Sequence, residues 1–384
     1  MKATGIIVEY NPLHNGHMYH LNETKKLFPD RCTIAIMSGN FTQRGEPAIV
    51  DKFARTEMAI KAGVDLVIEL PFVFTVQNAD IFAKTSVHLL DMLGVENIVF
   101  GSETGDMTVL EDMLKQMDSK IYHDRVKYFL KQGNSYPTAS ALAMAEQGID
   151  KGFDAPNNIL GLQYLKAKKA LNSKITFHTI RRQTTGYYDK IKQNASIQSA
   201  TAIRGLIKNN ESYERYVPKP VKSILDSHKS IDYNFFTDHF KYLINVIPVE
   251  DIGNLFNMTE GIEHRIKKMR HFSTTSELIE QLITRRYTYS SIKRTLAHLL
   301  CQTKETLIES FIPPYLRVLG MNKVGKEYLS QIKHDLEIPL ITNVKEGIHP
   351  YLDHELKVSR IYSLASDKDV FKMEFDPTIN LYIN

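Results

Sequence analysis

Two histidines flank a glycine near the start of the chain, in the stretch His14-Asn15-Gly16-His17. Imidazole nitrogens can donate hydrogen bonds to phosphate oxygens, and an imidazole that gains charge stabilises negative charge as it develops. The glycine has no Cβ, so a phosphate can approach its backbone closely. These residue types at this spacing predict a phosphate-binding turn. Surface or capping histidines are the alternative interpretation of such a pair.

The surrounding sequence indicates which elements hold this turn. A short apolar run at 5–8 predicts a buried strand, Asn11-Pro12 predicts a change of direction, and a helical pattern covers 17–27. In α/β proteins a helix N-terminus that follows a strand and a polar turn receives phosphate, because its unpaired amides and its dipole point at the anion. This context favours the functional interpretation of the two histidines.

Strand and helix patterns continue to alternate through about the first two hundred residues. Further strands are predicted at 33–37, 65–70, 97–100 and 174–180, and helices at 52–62, 81–93 and 159–171. This order predicts an α/β fold with a parallel sheet, whose ligand site lies beyond the carboxyl ends of the strands. Residues 104–147 resemble two or three helices with a break at 133–137, which predicts a helical insertion at about 104–150.

Two other stretches place cations and hydroxyls where they can meet phosphate. Arg182 follows the strand predicted at 174–180, although a solvated basic turn is an equal alternative. Ser199 and Thr201 occupy the predicted start of a helix, with Arg204 one turn later on the same side. Taken alone, the second stretch is a good helix cap. Together with the histidine turn it predicts a second half of the phosphate site.

Length and composition exclude several classes of protein. The 384 residues are 43% hydrophobic and 24% charged, which is typical of an ordinary soluble protein of two or three domains. There is no apolar run of about 18 residues, and no signal-peptide pattern precedes the first strand, so we expect a cytoplasmic protein without a membrane partner. Cys32 and Cys301 lie far apart without metal-ligand spacing. The net charge of +4 permits an anionic partner but does not require one.

Beyond residue 208 the pattern becomes mainly helical, with few strand signals. Basic residues outnumber acidic ones between 261 and 296, and aromatic residues, including Phe272, lie among them. Basic side chains bind RNA phosphates and aromatic rings stack on unpaired bases, so this stretch is a candidate RNA-binding surface. A solvated pair of basic helices with core aromatics is the alternative. The predicted RNA contacts are Arg265, Lys267, Lys268, Arg270, Arg285, Arg286, Tyr287, Tyr289, Lys293 and Arg294.

The two phosphate motifs, Asn11-Pro-x-His14-x-Gly16-His17 and Ser199-x-Thr201-x-x-Arg204, together resemble the paired signatures of the nucleotidyltransferase α/β-phosphodiesterase superfamily. The resemblance is closer to one of its members, the bacterial tRNA(Met) cytidine acetate ligase family, and it runs essentially from end to end. The segments that carry this closer resemblance are 9–17, 37–47, 65–71, 100–103, 156–161 and 359–363.

The resemblance implies a ligase that activates acetate with ATP to acetyl-adenylate, releasing pyrophosphate, and transfers the acetyl group to N4 of the wobble cytidine of elongator tRNA(Met), with AMP as the other product. It implies a Rossmann-like nucleotidyltransferase domain at 1–208 and a mainly α-helical tRNA-binding domain at 209–384. The implied catalytic residues are His14, His17 and Arg204. The implied ATP contacts are Ile7, Val8, Glu9, Tyr10, Asn11, Pro12, Leu13, His14, Asn15, Gly16, His17, Met18, Tyr19, His20, Gly101, Asn157, Arg182, Ser199, Thr201 and Arg204.

Several points stay open at the level of sequence. Mg²⁺ is expected with the ATP phosphates, but no carboxylate cluster suggests protein ligands for a metal. Glu9, Asp80 and Glu103 are candidate bases for acetyl transfer, and each has a structural alternative. Two other functions would use similar motifs: a small-molecule adenylyltransferase of the pantetheine-phosphate or nicotinamide-mononucleotide kind, and a non-catalytic RNA-binding protein. The sequence does not indicate an oligomeric state.

Overall fold

Short apolar runs form the strands at the centre of the molecule. The computed structural model describes residues 1–149, 152–183 and 196–376, and within these ranges seven strands form one sheet in the order β5-β4-β1-β2-β3-β6-β7. Every residue of β2 and β3 is buried, as expected for central strands covered on both faces. The strands are β1 (Ala3–Val8), β2 (Cys32–Ser38), β3 (Leu66–Leu70), β4 (Asn97–Ser102), β5 (Thr176–Arg181), β6 (Leu316–Met321) and β7 (Leu340–Ile341).

Helices connect the strands and extend the chain beyond them. Those up to residue 208 are α1 (Asn15–Leu27), α2 (Lys52–Ala62), α3 (Phe72–Thr75), α4 (Ala79–Met92), α5 (Met107–Met117), α6 (Lys120–Lys131), α7 (Tyr136–Ala145), α8 (Pro156–Leu171) and α9 (Ala200–Lys208). Those that follow are α10 (Lys219–Asp226), α11 (Thr237–Val246), α12 (Val249–Gly253), α13 (Ile262–Lys268), α14 (Thr275–Leu282), α15 (Tyr289–Cys301), α16 (Lys323–Ile332), α17 (Pro350–Ser363) and α18 (Val370–Met373). Short 3₁₀ turns occur at Glu214–Tyr216, Tyr233–Phe236 and Glu305–Leu307.

The first five strands are parallel to one another, so their carboxyl ends meet at one edge of the sheet. Helices α4 and α8 pack against each other beside this half of the sheet. The predicted α/β fold is confirmed, and α2 has the predicted bounds. Helix α2 begins at a cap formed by Asp51 and ends at Gly63, whose φ of 110° suits a residue without a Cβ.

The predicted helical insertion contains α5, α6 and α7, with the break between α6 and α7. The end of that insertion, residue 150, lies outside the described residues, as do 377–384 of the predicted C-terminal domain. No helix among the described residues is both long and apolar enough to cross a membrane.

The C-terminal half is mainly helical, as predicted, and it also contributes two strands to the sheet. Strand β6 pairs antiparallel with β3, and β7 pairs parallel with β6, so residues beyond 208 complete the same sheet. Residue 208 therefore does not mark the edge of the sheet. The prediction missed β6 because Arg317 interrupts its apolar run, and the partners that allow this arginine to be buried lie far away in the sequence.

These partners form a set that we term the buried ion cluster, which consists of Lys52, Glu69, Arg317, Glu355 and Glu374, all buried. Lys52 Nζ lies 2.6 Å from Glu69 Oε1 and 2.7 Å from Glu374 Oε1. Arg317 Nη1 lies 3.3 Å from Glu69 Oε2, and its Nη2 contacts Glu374 Oε2. The cluster joins α2 and β3 to β6, α17 and the end of α18, so it ties the C-terminal segment to the sheet.

Candidate active site

The histidine turn, residues 14–17, lies at the carboxyl end of β1 and forms the start of α1. His14 is the N-cap: its Nδ1 accepts a hydrogen bond from the Gly16 backbone N–H at 3.0 Å, and His17 Nδ1 accepts one from the His14 N–H at 3.3 Å. The two rings stack with centroids 3.8 Å apart. Because both Nδ1 atoms are acceptors, each neutral ring carries its hydrogen on Nε2 and can donate it to a ligand.

The surroundings keep these histidines uncharged. Burial, with further contributions from Arg182 and Arg204, lowers the pKa of His14 to about 3. Burial, together with His14, Arg182 and His20, holds the pKa of His17 well below its ordinary value. The sequence predicted hydrogen-bond donors that gain charge during the reaction. The geometry refines this picture, since both rings begin as neutral donors between two arginines.

Gly16 has a local reason for lacking a side chain. A Cβ at this position would lie 2.8 Å from His14 Cε1 and 3.4 Å from Ile197 Cγ2. Any side chain would thus displace the His14 ring from its cap or push away the segment that carries Ile197. The sequence-based reason, close approach of a phosphate, is compatible with this crowding.

The second predicted motif is in direct contact with the turn. Arg204 Nη1 donates to the Asn11 carbonyl at 2.8 Å, and Nη2 lies 3.3 Å from Thr201 Oγ1. Asn15 Nδ2 donates to the carbonyls of Ser196 and Arg215, each at 2.9 Å. Ser199 caps α9 by accepting from the Ala202 N–H. The two motifs, far apart in sequence, therefore form one clamp beside the histidines.

A third set of predicted residues forms the opposite side of the clamp. Arg182 Nη1 donates to Asn157 Oδ1 at 3.2 Å, and a Cβ on Gly101 would lie 3.2 Å from Arg182 Cγ. Burial lowers the pKa of Arg182. Glu103 accepts from Asn157 Nδ2 at 2.7 Å and from the Asn158 N–H at 2.8 Å. Glu103 thus fastens the start of α8 next to Gly101 and Arg182.

The remaining predicted ATP contacts lie along the same strand, turn and helix. Val8, Pro12 and Leu13 are buried, while Ile7, Met18, Tyr19 and His20 are partly exposed. Burial and Arg182 lower the pKa of His20 to about 4. The Tyr10 ring meets the His17 ring edge-on at 5.0 Å, and Asn11 Oδ1 accepts from the Ile49 N–H at 2.7 Å. Buried members of this set shape the turn, and Ile7 and Met18 pack against the hydrophobic core.

The three candidate bases have different surroundings. Glu9 lies next to the turn, accepts from the Gln43 N–H at 2.6 Å, and has its pKa raised by burial. Asp80 is exposed in the first turn of α4. Glu103 uses both carboxylate oxygens at the start of α8. Glu9 is therefore the candidate whose position and raised pKa best suit a proton acceptor. No group of three or more histidine, cysteine or acidic residues that could hold a metal occurs in the described residues.

The predicted RNA contacts divide into exposed residues and residues that serve the fold. Lys268, Arg270, Arg285 and Arg286 are exposed, and Tyr289 is 51% exposed. Arg265 is partly exposed and donates to the Gln281 carbonyl at 2.7 Å. Arg294 is partly buried, and burial together with Arg44 lowers its pKa to about 10. These residues keep basic and aromatic groups at the surface of α13, α15 and the segment before α15.

The other members of the predicted RNA set are buried or have hydrogen-bond or ion-pair partners within the protein. Lys267 Nζ donates to the carbonyls of Ile244 and Ile247 and so ends α11. The Tyr287 hydroxyl donates to the carbonyls of Thr259 and Glu260. Phe272 is buried, and the buried Lys293 pairs with Glu46. Local sequence could not distinguish these residues from surface ones, because their partners come from other segments.

Two residues at the site were not assigned a role from the sequence. Arg55, fully buried in α2, donates to the Glu9 carbonyl at 2.7 Å and to the Gly39 carbonyl, and so holds the ends of β1 and β2 together. Glu46 pairs with Arg204 at 3.3 Å. An arginine beside Met58 and Ala59 on one face of α2 was the available signal for Arg55. Glu46 lies within the family-like segment 37–47 but carried no spacing signal.

Comparison with known proteins agrees with this geometry. A family model described as HIGH Nucleotidyl Transferase matches residues 1–375. The chain belongs to this family.

Two curated relatives of this HIGH nucleotidyl transferase have the same name. The chain is 41% identical over 378 residues to the tRNA(Met) cytidine acetate ligase of Geobacillus sp. (strain WCH70), with 94% of each chain covered. It is 38% identical over 398 residues to the tRNA(Met) cytidine acetate ligase of Bacillus subtilis (strain 168), which covers 98% of this chain and 95% of the relative. The resemblance stated from the sequence motifs is confirmed.

Solved structures of similar proteins have the same fold. The apo crystal structure (form I) of Thermotoga maritima TmcAL matches with a TM-score of 0.88 and 29% identity, and 100% of each chain is covered. The form II structure of Thermotoga maritima TmcAL bound with alpha-thio ATP matches with a TM-score of 0.84 and 31% identity over 95% of each chain. The HIGH nucleotidyl transferase fold described above is therefore common to both.

Proposed function

We propose that this chain is an ATP-dependent acetate ligase that acetylates N4 of the wobble cytidine of elongator tRNA(Met), giving N4-acetylcytidine. The observation that carries the proposal is the contact of Arg204 with the Asn11 carbonyl at 2.8 Å, which joins the two phosphate motifs into one clamp. Relatives named tRNA(Met) cytidine acetate ligase, similar along the whole chain, support the acceptor. The relative bound with alpha-thio ATP supports ATP as the first substrate.

In the first step an acetate oxygen attacks the α-phosphorus of ATP, a C–O–P linkage forms, and the bond to pyrophosphate breaks. The attacking and leaving oxygens must lie in line, so the protein has to orient two anions and neutralise charge. The Nε2–H groups of His14 and His17 donate to the phosphates as charge develops. Arg204 with Thr201 binds the β- and γ-phosphates, and Arg182 approaches from the side of Gly101 and Asn157.

In the second step the cytosine N4 attacks the carbonyl carbon of acetyl-adenylate and AMP leaves. The exocyclic amine is a weak nucleophile, because its lone pair is delocalised into the ring, so a group that accepts its proton accelerates the step. We assign this role to Glu9, whose pKa is raised by burial. The base must leave its stack to reach the mixed anhydride. Arg270, Arg285, Arg286 and Tyr289 present the exposed charge and aromatic surface for the RNA.

Two further expectations belong to the same proposal. Mg²⁺ enters as part of the ATP substrate, bound mainly by the phosphates, as is usual for this ion in phosphoryl chemistry. The enzyme works in the cytoplasm, where ATP and tRNA are present.

Incubation of the protein with ATP, labelled acetate and bulk tRNA tests the proposal. We expect label in tRNA only when ATP is present, in a single cytidine, with AMP and pyrophosphate released. A small-molecule adenylyltransferase would leave tRNA unlabelled and join AMP to a phosphorylated metabolite. An RNA-binding protein without activity would retain tRNA but would release no pyrophosphate. Either result would overturn the proposal.

A further inference from the structure

Glu46 holds two cations that belong to different parts of the chain. One carboxylate oxygen, Oε2, lies 3.3 Å from Arg204 Nη2 at the start of α9, and the other, Oε1, contacts Lys293 Nζ in α15. Among the described residues, neither cation has another carboxylate within ion-pair distance. The carboxylate therefore lies between the arginine of the clamp and a lysine from the C-terminal half.

The loop that carries Glu46 is firmly placed. The Thr42 N–H donates to the Glu46 carbonyl at 2.8 Å, and the Gly45 N–H donates to the Thr42 carbonyl at 3.0 Å. The φ of Gly45 is 83°, and a Cβ there would lie 2.5 Å from the backbone of Lys293 and Arg294. The loop thus lies directly against the α15 backbone, so the position of the Glu46 carboxylate is set by two elements at once.

The two cations differ in what they can do. The Lys293 side chain is only 8% exposed and its ammonium lies 3.8 Å from the centre of the Tyr289 ring, so its charge is confined. Arg204 is three times as accessible, at 24%, and faces the histidine turn. Since Lys293 shares the charge of Glu46, the carboxylate can orient Arg204 without cancelling its positive charge toward a phosphate.

We propose that Glu46 is a positioning residue for Arg204: it fixes the guanidinium in the clamp and, through Lys293, ties that orientation to α15. The inference rests on the proposed function, because it assigns Arg204 to the ATP phosphates. A carboxylate that only anchored α15 would affect folding alone. A positioning carboxylate affects the turnover of the adenylation step as well.

The test is acetate-dependent exchange of radiolabelled pyrophosphate into ATP, with kcat normalised to ATP-binding sites. For Glu46→Gln we expect kcat to fall by about tenfold to a hundredfold, the range associated with a misplaced catalytic group. The KM for ATP should not rise, since the substitution removes a negative charge near the phosphates. A rise in the KM for ATP with an unchanged kcat would overturn the proposal.

A second variant separates positioning from anchoring. Glu46→Gln leaves Lys293 buried without a counter-charge, which destabilises the fold. Adding Lys293→Met removes that charge, so the double variant should regain stability in urea unfolding while kcat stays low. Recovery of the wild-type kcat would show that Glu46 acts only as an anchor.

A third comparison tests whether Glu46 acts through Arg204. In an Arg204→Lys background, Glu46→Gln should cause little further loss of kcat, whereas full additivity of the two losses would contradict a shared role.

Glu96 provides a matched control because its two carboxylate oxygens also contact two cations, Lys2 and Arg31, near the amino end of β4. Glu96→Gln should leave kcat within about twofold of wild type, as expected for an exposed pair. A loss equal to that of Glu46→Gln would show a general effect of removing a bridging carboxylate. If the wild-type protein itself shows no acetate-dependent exchange, the proposed function fails and the role of Glu46 falls with it.

Discussion

The histidine turn and the buried ion cluster lie at the same edge of the sheet, and both contain buried titratable side chains. The effect of burial on charge differs between them. His14 and His17 stay neutral, and their Nε2–H groups remain available. In the cluster, burial alone would lower the pKa of Lys52, but Glu374 and Glu69 outweigh it and the pKa is raised. Burial removes charge from groups without a counter-charge and retains it where opposite charges surround it.

The two regions therefore suit different purposes: the histidine turn suits ligand binding, and the buried ion cluster stabilises the fold. Neutral imidazole donors can respond to a phosphate that enters, so they suit a site that binds and releases an anion. The charges of Lys52, Glu69, Arg317 and Glu374 are already paired with one another, and the cluster holds β3, β6, α17 and α18 together. The free-energy cost of burying charge therefore leaves neutral hydrogen-bond donors in the histidine turn and paired ions in the buried ion cluster.

The two regions also respond to pH with opposite sign. A histidine whose pKa is lowered in the folded state contributes stability above about pH 6.5, and that stability is lost as the pH falls toward the folded pKa. For Glu355, burial and the neighbouring Glu69 raise the pKa from 4.5 to about 8. The folded state then holds a proton that the unfolded state releases, so this contribution to stability falls as the pH rises from 4.5 to 8.

The largest expected effect comes from breaking the cluster with Lys52→Met. This change leaves the three buried carboxyl groups of the cluster with Arg317 as its remaining cation, and we expect the free energy of unfolding to fall by about 3–5 kcal/mol. Lys61→Met on the same helix is the control, because Lys61 pairs with Glu57 at 40% exposure and should cost at most about 0.5 kcal/mol. Equal losses in urea unfolding would mean that the cluster does not behave as a buried ion pair network.

The matching change in the turn is His17→Ala, which should lower kcat for acetyl-adenylate formation by about 10²–10³ through loss of one donor to the phosphates. Binding of tRNA should stay nearly intact. His17→Gln can place an amide N–H near the former Nε2, whereas His17→Asn cannot, so Gln should retain more activity than Asn. Loss of tRNA binding to the same degree as activity would indicate a structural role for the turn.

The sign expected for the buried ion cluster can be tested with Glu355→Gln, which mimics the protonated carboxyl. Relative to the variant, the wild type should lose on the order of 2 kcal/mol of unfolding free energy between pH 5 and pH 8. The histidines are the same in both proteins, so their contribution cancels in the difference. A difference in stability that stays constant over this pH range would show that Glu355 ionises normally.

The smallest effect on stability is expected from charges that are not buried. Arg285→Gln with Arg286→Gln should change the free energy of unfolding by less than about 0.5 kcal/mol, because both side chains are exposed. It should weaken tRNA binding and reduce the slope of its salt dependence by about 1 for each RNA phosphate that is no longer neutralised. Lys127→Gln with Lys131→Gln on α6 is the control. An unchanged slope in the arginine variant would place the RNA elsewhere.

Local sequence determined the wound sheet and the position of the histidine turn. Short runs of four to seven residues predicted the first five strands, and caps such as Asp51 and Gly63 matched the bounds of α2. The residue types at His14, Gly16 and His17 indicated phosphate chemistry, because imidazole nitrogens beside a helix start can donate hydrogen bonds to phosphate oxygens. These features depend on residues within a few positions of one another, so the local sequence is sufficient to predict them.

Tertiary structure alone decided which charges are available. Lys267 and Lys293 have the sequence setting of surface lysines, yet the carbonyls of Ile244 and Ile247 and the carboxylate of Glu46 occupy them. Strand β6 was not predicted because a buried Arg317 requires its ion partners Glu69 and Glu374, which lie far away in the sequence. Electrostatic partners act through space, and burial is a property of the folded chain. The sequence therefore determined which side chains could bind a phosphate, and the fold decided which of them are neutral, which are paired and which remain free to do so.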